Sequence, residues 1–501
     1  MHFLIAQSTS VPFLYRYKLD NGFELFVAEN DSAPLVYIEI AVRAGAVTQT
    51  PQNAGLFHLY EHMMFKGNEK YPDQAAFTDA ANQMGQINQN GTTGVDRVNY
   101  YFTVPSSLVR RGLEFWSYAI RTPKLDEQEL ENEKAVVLAE INANFTDPAH
   151  IRMASIFKTM FKNPWCMDSA GSPDVVKNAT VEDLREIQKN YYTPANSAIF
   201  VGGDVNHEEV FQYVVEIFSD WKNPGESAAL DTAEIRNRFA RDKKFVFVNP
   251  GSSDAMINAA YYLPGPDGET DAEDTYPADV WTNLVNSPDG VFARTFVSEP
   301  ALGIPESNYV GATYPTRRRS GMLTFYAAML DTVQNSAPSL EIEDKNYGIG
   351  SIDLVKEPVA EGNLNPAEKG DLFLSVLKKK AFPAMANKEL FFKERSTDFV
   401  IRQLEDSKIY DGESAEGVLK SLSFFWSACG SDYFFSYDEN ISKVTEDDVA
   451  AFIQKYMLNK NGLMVVTVSP GIWQKYEKDF ENHGYEKITK ETAFWQGRAG
   501  E

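Results

Sequence analysis

Residues 55–67, GLFHLYEHMMFKG, place two of the chain's six histidines and a glutamate within five positions. On an α-helix, positions i and i+4 stack on one face and i+3 lies beside them. His58, Glu61 and His62 therefore share a face. Two neutral imidazoles so placed can hold Zn2+ at about 2.0–2.1 Å, and an adjacent carboxylate can act as base toward a zinc-bound water. The plain alternative is a helix with ordinary polar residues. The order H-x-x-E-H decides for the metal, because it is a recurrent zinc signature with a mechanism behind it. One Zn2+ per chain is the expected cofactor.

Catalytic zinc keeps three protein ligands and an open position, so a third ligand is required. The stretch DEQELENEKAVVLAEINANF supplies glutamates at 127, 129, 131, 133 and 140. Most of these read as a solvated helix face. Glu140 differs because it is set in AVVLAEI, an apolar run where an unpaired carboxylate is costly. Glu133 lies seven residues earlier, two turns away on nearly the same face. A buried Glu140 bound to the cation, with Glu133 behind it, removes that cost.

Composition narrows what these residues can serve. At 501 residues the chain is long enough for two or more domains, and 43% hydrophobic with 13% aromatic residues supports buried cores. A net charge of −24 argues against nucleic acid. Cys166 and Cys429 are too few and too far apart for a disulfide framework or a thiolate site. No run approaches 18 apolar residues, so no membrane span is expected. The opening MHFLIAQSTS reads as the stub of a secretory signal without a positive n-region. A periplasmic or envelope location is expected on that ground, with the cytoplasm as alternative.

An internal repeat organises the elements that must position the site. TVEDLREIQKNYYTPANSAIFVGGDV from Thr180 and TEDDVAAFIQKYMLNKNGLMVVTVSP from Thr445 share Thr, Asp, Tyr and Asn at an offset of 265. Each reads as a capped helix leading through a turn into an apolar strand. FELFVAENDSAPLVYIEIAVRAG and KFVFVNPGSSDAMINAAYYLPG both read as strand, turn, strand, at an offset of 221. The difference points to an insertion near 335–368. The expected organisation is an α+β domain at 13–222 bearing the metal site, a linker at 223–244, a related metal-free domain at 245–475 and a C-terminal extension at 476–501. Strands are expected at 35–43 and 98–104, helices at 72–84, 106–121, 126–145 and 205–220, giving antiparallel sheets covered by helices.

HLYEH followed by ENEKAVVLAEI resembles the pitrilysin/insulinase family of zinc metallopeptidases, which includes the mitochondrial processing peptidase. The family pairs H-x-x-E-H with a downstream E-x6-E, here Glu133 and Glu140. The resemblance implies that His58, His62 and Glu140 bind zinc, that Glu61 is the general base and that Glu133 orients the site. NQNGTTGVDRVNYYFTVP resembles the family's substrate-facing edge strand, which implies that Asn90, Gly91 and Thr92 meet a peptide taken up by strand addition. It further implies two related domains forming one half of a clamshell, and a zinc-dependent endopeptidase acting on peptides or short unfolded polypeptides in a chamber. DVWTN at 279–283 stands where HLYEH stands in the first half, so no second metal site is expected.

Two other classes compete. Some relatives serve as non-catalytic partner or scaffold subunits, and a zinc hydrolase could act on other amides or esters. Complete relatives also supply R-x6-Y from the other half of the clamshell. Here Tyr309 fits the tyrosine, but Leu302 stands seven residues before it, and Arg294 and Arg317 are out of register. The expected state is therefore a dimer, with a related arginine-bearing partner or, alternatively, a second copy of the chain contributing Tyr309 and Arg294 or Arg317.

Overall fold

The computed structural model describes residues 6–7, 13–223, 235–331, 364–411 and 414–495. Most of the insertion expected near 335–368 and the middle of the linker expected at 223–244 lie outside the described residues.

Runs rich in Val, Ile, Phe and Tyr form two sheets. The first contains β1 (Ala6–Gln7), β2 (Leu14–Lys18), β3 (Glu24–Glu29), β4 (Leu35–Val42), β5 (Ile87–Thr93), β6 (Val98–Pro105) and β7 (Ser197–Gly203). The second contains β8 (Lys243–Val248), β9 (Met256–Pro264), β10 (Val310–Thr313), β11 (Met322–Leu330), β12 (Leu463–Val468) and β13 (Glu486–Ile488). Read from corresponding edges, the orders are β2-β3-β7-β4-β6-β5 and β13-β8-β12-β9-β11-β10. In both, one central pair is parallel, β3 with β7 and β8 with β12, and the next pairs toward β5 and β10 are antiparallel. The repeat read from the sequence is thus a repeat of sheet topology. Both expected capping boxes, Thr180 with Asp183 and Thr445 with Asp448, are formed.

The slot beside the first central strand is filled from opposite ends of the chain. In the first sheet it holds β2, antiparallel to β3; in the second it holds β13, parallel to β8. Residues 476–495 are therefore structural parts of the fold. Helix Pro470–Asn482 runs through the expected boundary, and Phe494 and Trp495 return to the first half, against Phe145 and Trp165. A three-residue strand carries too little pattern to be read from sequence. The described end of the expected linker is pinned as well: Arg236 pairs with Asp267 at 2.8 Å, and Asn237 donates to Thr159 O at 2.9 Å.

On one face of the first sheet lie α1 (Leu56–Met64), α2 (Gln74–Gln83) and α3 (Val109–Arg121), with α4 (Glu127–Asn144) packed on α1, while α5 (Pro148–Met160) reaches β12 and β13 of the second sheet. The N-termini of α2, α4 and α5 are capped by Asp73, Asp126 and Asp147. α1 begins differently, after Gly55 at φ +96, where the chain passes Gly171 so closely that a Cβ there would lie 2.1 Å from Gly55 Cα. Only glycine permits that crossing, and it fixes where α1 starts.

The other face of this sheet is covered by helix Ala415–Ala428 from the second half, so β4 and β7 are buried on both sides and read as continuous apolar runs. Leu419, Leu422 and Trp426 pack on Phe26, Ala41 and Phe200. The Arg43 guanidinium lies 4.7 Å over the Trp426 ring, and its Nε donates to the Trp426 carbonyl at 2.9 Å. Trp426→Ala removes a fully buried ring and should destabilise the chain by roughly 3–5 kcal/mol, read as a lowered urea midpoint.

A candidate metal centre between two helices

α1 and α4 pack together and bring the expected donors to one point. His58 and His62 leave α1 on the same side, half-buried, with ring centroids 4.8 Å apart and Nε2 atoms 3.2 Å apart. From α4, Glu140 Oε2 stands 3.4 Å from His58 Nε2 and 3.7 Å from His62 Nε2. Among the described residues this is the one group of three metal-type side chains whose donor atoms converge, all within 4.8 Å. Ligands at 2.0–2.1 Å in a tetrahedron lie about 3.3 Å apart, so the three separations suit one face of a zinc coordination shell. The donor set, two imidazoles and one carboxylate with room for a fourth ligand, suits it too.

Hydrogen bonding sets the orientation of the His62 ring. His62 Nδ1 meets Glu133 Oε2 at 3.0 Å, which makes Nδ1 the donor and leaves the Nε2 lone pair for a cation. Lys66 Nζ, 2.5 Å from Glu133 Oε1, holds the other carboxylate oxygen. Burial pushes the Glu133 carboxyl up, but Lys66 and His62 outweigh it and hold it below its usual value. His58 is pushed down to about 4, first by burial and then by the neighbouring His62. Its Nδ1 is buried and has no hydrogen-bond partner among the described residues.

Glu61 sits between α1 and β5. Burial raises its pKa and Glu140 adds to this, while His62 and a 3.2 Å hydrogen bond from Thr93 Oγ1 oppose it. Strand β5 can approach because residue 91 is glycine: a Cβ there would lie 2.8 Å from Glu61 Oε1 and 3.0 Å from the Phe65 ring. β5 is a sheet edge with a bulge between Ile87 and Asn90, where Asn88 has φ +58. Beside it opens a cleft of about 460 Å³ lined by Phe65, Phe77, Gln86, Ile87, Asn88 and Asn90, among others.

The structure corrects one expectation from sequence. Glu140 is not buried: its side chain is 49% exposed, and Val136 beside it is 44% exposed. α4 packs through Leu130, Val137 and Ile141, so only part of the apolar run faces the core; the buried acid is Glu133. Along β5, Asn90 and Thr92 are exposed, Asn90 accepting from Gly91 N at 3.0 Å and Thr92 donating to Asn99. Gly91 and Thr93 are the residues turned toward Glu61. Strand alternation was the signal for Thr93, since residues two apart share a face. Nothing in the sequence pointed to Lys66.

Tyr309 lies in the second half at the start of β10, 39% exposed. Arg294 pairs with Glu394 at 2.9 Å and Arg317 with Asp96 at 3.5 Å, so both arginines are engaged within the chain.

A duplicated α+β fold with H-x-x-E-H on one helix and a third donor on its neighbour has the plan of the inverted zinc peptidases. Residues 25–169 match the family model described as Insulinase (Peptidase family M16), and residues 178–328 match the Peptidase M16 inactive domain. The chain belongs to peptidase family M16.

It is 25% identical over 424 residues to the uncharacterized zinc protease YmxG of Bacillus subtilis, covering 81% of this chain and 95% of that protein. It is 27% identical over 219 residues to the probable mitochondrial-processing peptidase subunit beta of Arabidopsis thaliana, covering 44% of this chain and 40% of the relative. The chain thus spans half or less of several relatives it matches, and 21% of the insulin-degrading enzyme homolog of Dictyostelium discoideum. The periplasmic protease PqqL from Escherichia coli has the same fold at TM-score 0.66 and 14% identity, covering 99% of this chain and 52% of PqqL. A protease from Helicobacter pylori shares it at TM-score 0.67 and 16% identity, covering 91% of this chain and 99% of that one. No helix among the described residues is long and apolar enough to cross a membrane.

In the second half, position 279 takes the place of His58, and Asp279 accepts a hydrogen bond from Tyr437 Oη at 2.8 Å. Burial pushes its carboxyl up to about 7. The folded state therefore holds this proton more tightly than the unfolded chain, so ionisation costs stability above pH 7 and the cost shrinks as pH falls toward 4. Asp279→Asn keeps the acceptor without the charge. It should be more stable than wild type at pH 8, with the gap narrowing at pH 5, as read from urea midpoints.

Proposed function

We propose that this chain is a zinc-dependent endopeptidase that cleaves peptides or short unfolded polypeptides. The observation that carries the reading is the convergence of His58 Nε2, His62 Nε2 and Glu140 Oε2 beside the buried carboxylate of Glu61. His58, His62 and Glu140 would hold one Zn2+ per chain, which supplies Lewis acidity toward water and the scissile carbonyl. Glu61 takes the proton from the attacking water and returns it to the leaving amine. Its raised pKa suits both transfers, and the Thr93 hydrogen bond keeps the ionised form within reach. Glu133 orients His62, and Lys66 orients Glu133. The free edge of β5 takes up the substrate backbone, with Asn90, Gly91 and Thr92 along it and the adjacent cleft receiving a side chain.

PqqL has this fold and is about twice as long as the region matched, which supports a reading in which a second body completes the substrate chamber. We place there a related subunit carrying an arginine, or a second copy of this chain with Tyr309 at the rim. A non-catalytic subunit is the competing reading, and the intact donor set favours the peptidase.

Three tests follow from this site. Purified protein should carry about one zinc per chain and cleave a mixed peptide library, and a chelator should abolish cleavage; absence of both zinc and turnover establishes the non-catalytic reading. Glu61→Gln should retain zinc while kcat falls roughly 10²–10⁴-fold, whereas Glu133→Gln should weaken zinc binding roughly 10–100-fold and Glu140→Gln should weaken it further. Mass in solution, measured with turnover, should show a dimer in the active state; full activity from a monomer removes the need for any partner.

A further inference from the structure

We propose that Asp96 and Arg317 are positioning residues, an ion pair through which the metal-free second half holds the β5–β6 hairpin where Gly91 and Thr93 meet Glu61. The proposal deepens the peptidase reading and rests on it for its kinetic consequence.

The hairpin tip, residues 94–97, is gripped from two sides. Its own half holds it by backbone: Ala46 N donates to Gly94 O at 3.0 Å and Val47 N to Val95 O at 2.9 Å. The opposite side is held by the second half. The Asp96 side chain is 2% exposed, and its carboxylate accepts from Arg317 Nη1 at 3.5 Å and from Arg318 N at 3.2 Å. A carboxylate buried to this degree is costly unless paired, and these hydrogen bonds come from more than 200 residues away in the chain. The Arg317 and Arg97 guanidinium groups both lie over the Phe424 ring, at 5.8 and 5.9 Å, so the pair is embedded in the seam between the halves.

The tip matters because β5 is an edge strand with one neighbour, β6. Its far end is loosened by the bulge between Ile87 and Asn90. Gly91 and Thr93 lie between that bulge and the tip, and Thr93 is three residues from Asp96. Gly94 N donates to Arg97 O at 2.9 Å, which closes the turn and ties the end of β5 to the tip. A shift of the tip therefore moves both the free edge offered to a peptide and the Thr93 hydroxyl that donates to Glu61.

The test uses the full chain as Asp96→Asn, Arg317→Met, the double variant and Arg317→Lys. Zinc content, KM and kcat on a mixed peptide library, and hydrogen exchange of residues 87–93 against 98–105 are measured. Asp96→Asn and Arg317→Met should each raise KM roughly 5-fold or more with zinc content unchanged. The double variant should be no worse than either single one, and Arg317→Lys should recover most of the loss. Amides of 87–93 should lose protection while those of 98–105 keep theirs. Unchanged protection at 87–93 in Asp96→Asn or Arg317→Met overturns the proposal, and so does changed protection with unchanged KM. Arg317 is 31% exposed, so its variants remain informative if Asp96→Asn fails to fold. If the wild type has no zinc-dependent turnover, the peptidase reading fails, while hydrogen exchange still judges the pair.

Discussion

The site exists because α1 and α4, separated by some sixty residues of chain, are packed at a spacing that lets one carboxylate reach two imidazoles. That packing must satisfy opposite demands. α1 is buried on nearly all sides, with Leu56, Phe57, Leu59, Tyr60, Met63 and Met64 in the core. Yet it must leave the two Nε2 atoms free. The solution is a division of labour on α4: buried Glu133, fixed by Lys66, orients His62, and exposed Glu140 points its oxygen at both rings. The supporting Glu133–Lys66 pair is thus largely buried while Glu140 stays half exposed to solvent.

The two halves share a frame and differ at the helix and edge strand that form the candidate site in the first. Both sheets share strand order and the position of the parallel pair. In the second half, however, the helix Ala272–Val285 carries no histidine, and the edge strand is closed. Asn286 donates to Ala312 O at 2.8 Å and accepts from Ala312 N at 3.0 Å, so its carboxamide occupies main-chain groups of β10 that an added strand would use. On the corresponding edge β5, the side chains of Asn90 and Gln86 accept from Gly91 N and Gln89 N, at 3.0 and 3.2 Å. On β10 the side chain that covers the edge comes from a neighbouring helix, whereas on β5 both come from the strand and the turn before it.

Local signals were legible in the sequence and long-range ones were not. H-x-x-E-H works at helical spacing, and capping boxes are complete within four residues, so both survived translation into structure. The E-x6-E spacing placed Glu133 and Glu140 on one helix, but the apolar run around Glu140 could not say which face packs; Val137 and Ile141 go in while Val136 goes out. β13 was invisible because its place is created by β8, more than two hundred residues earlier. The pairing of Arg317 was unreadable for the same reason: nothing in RRR announces that Asp96 is buried opposite it.

The seam between the halves combines buried carboxylates with an apolar layer. The first sheet turns two carboxylates toward the second half. Glu39, fully buried, accepts from Tyr37 Oη at 2.8 Å and Asn99 Nδ2 at 2.9 Å within its own half, and from Ser423 Oγ at 2.6 Å across the seam. Glu24 pairs with Arg16 at 3.3 Å and accepts from Ser431 Oγ at 3.0 Å. Around them lies an apolar layer in which Leu419, Leu422 and Trp426 meet Phe26 and Phe200. Apolar contact makes separation costly, and the carboxylates make any other register of the two halves costly, since sliding would leave buried charges without their donors. A seam of this kind favours one arrangement over an open range of them. It lets a half without a metal contribute to the placement of a strand in the half that has the donors.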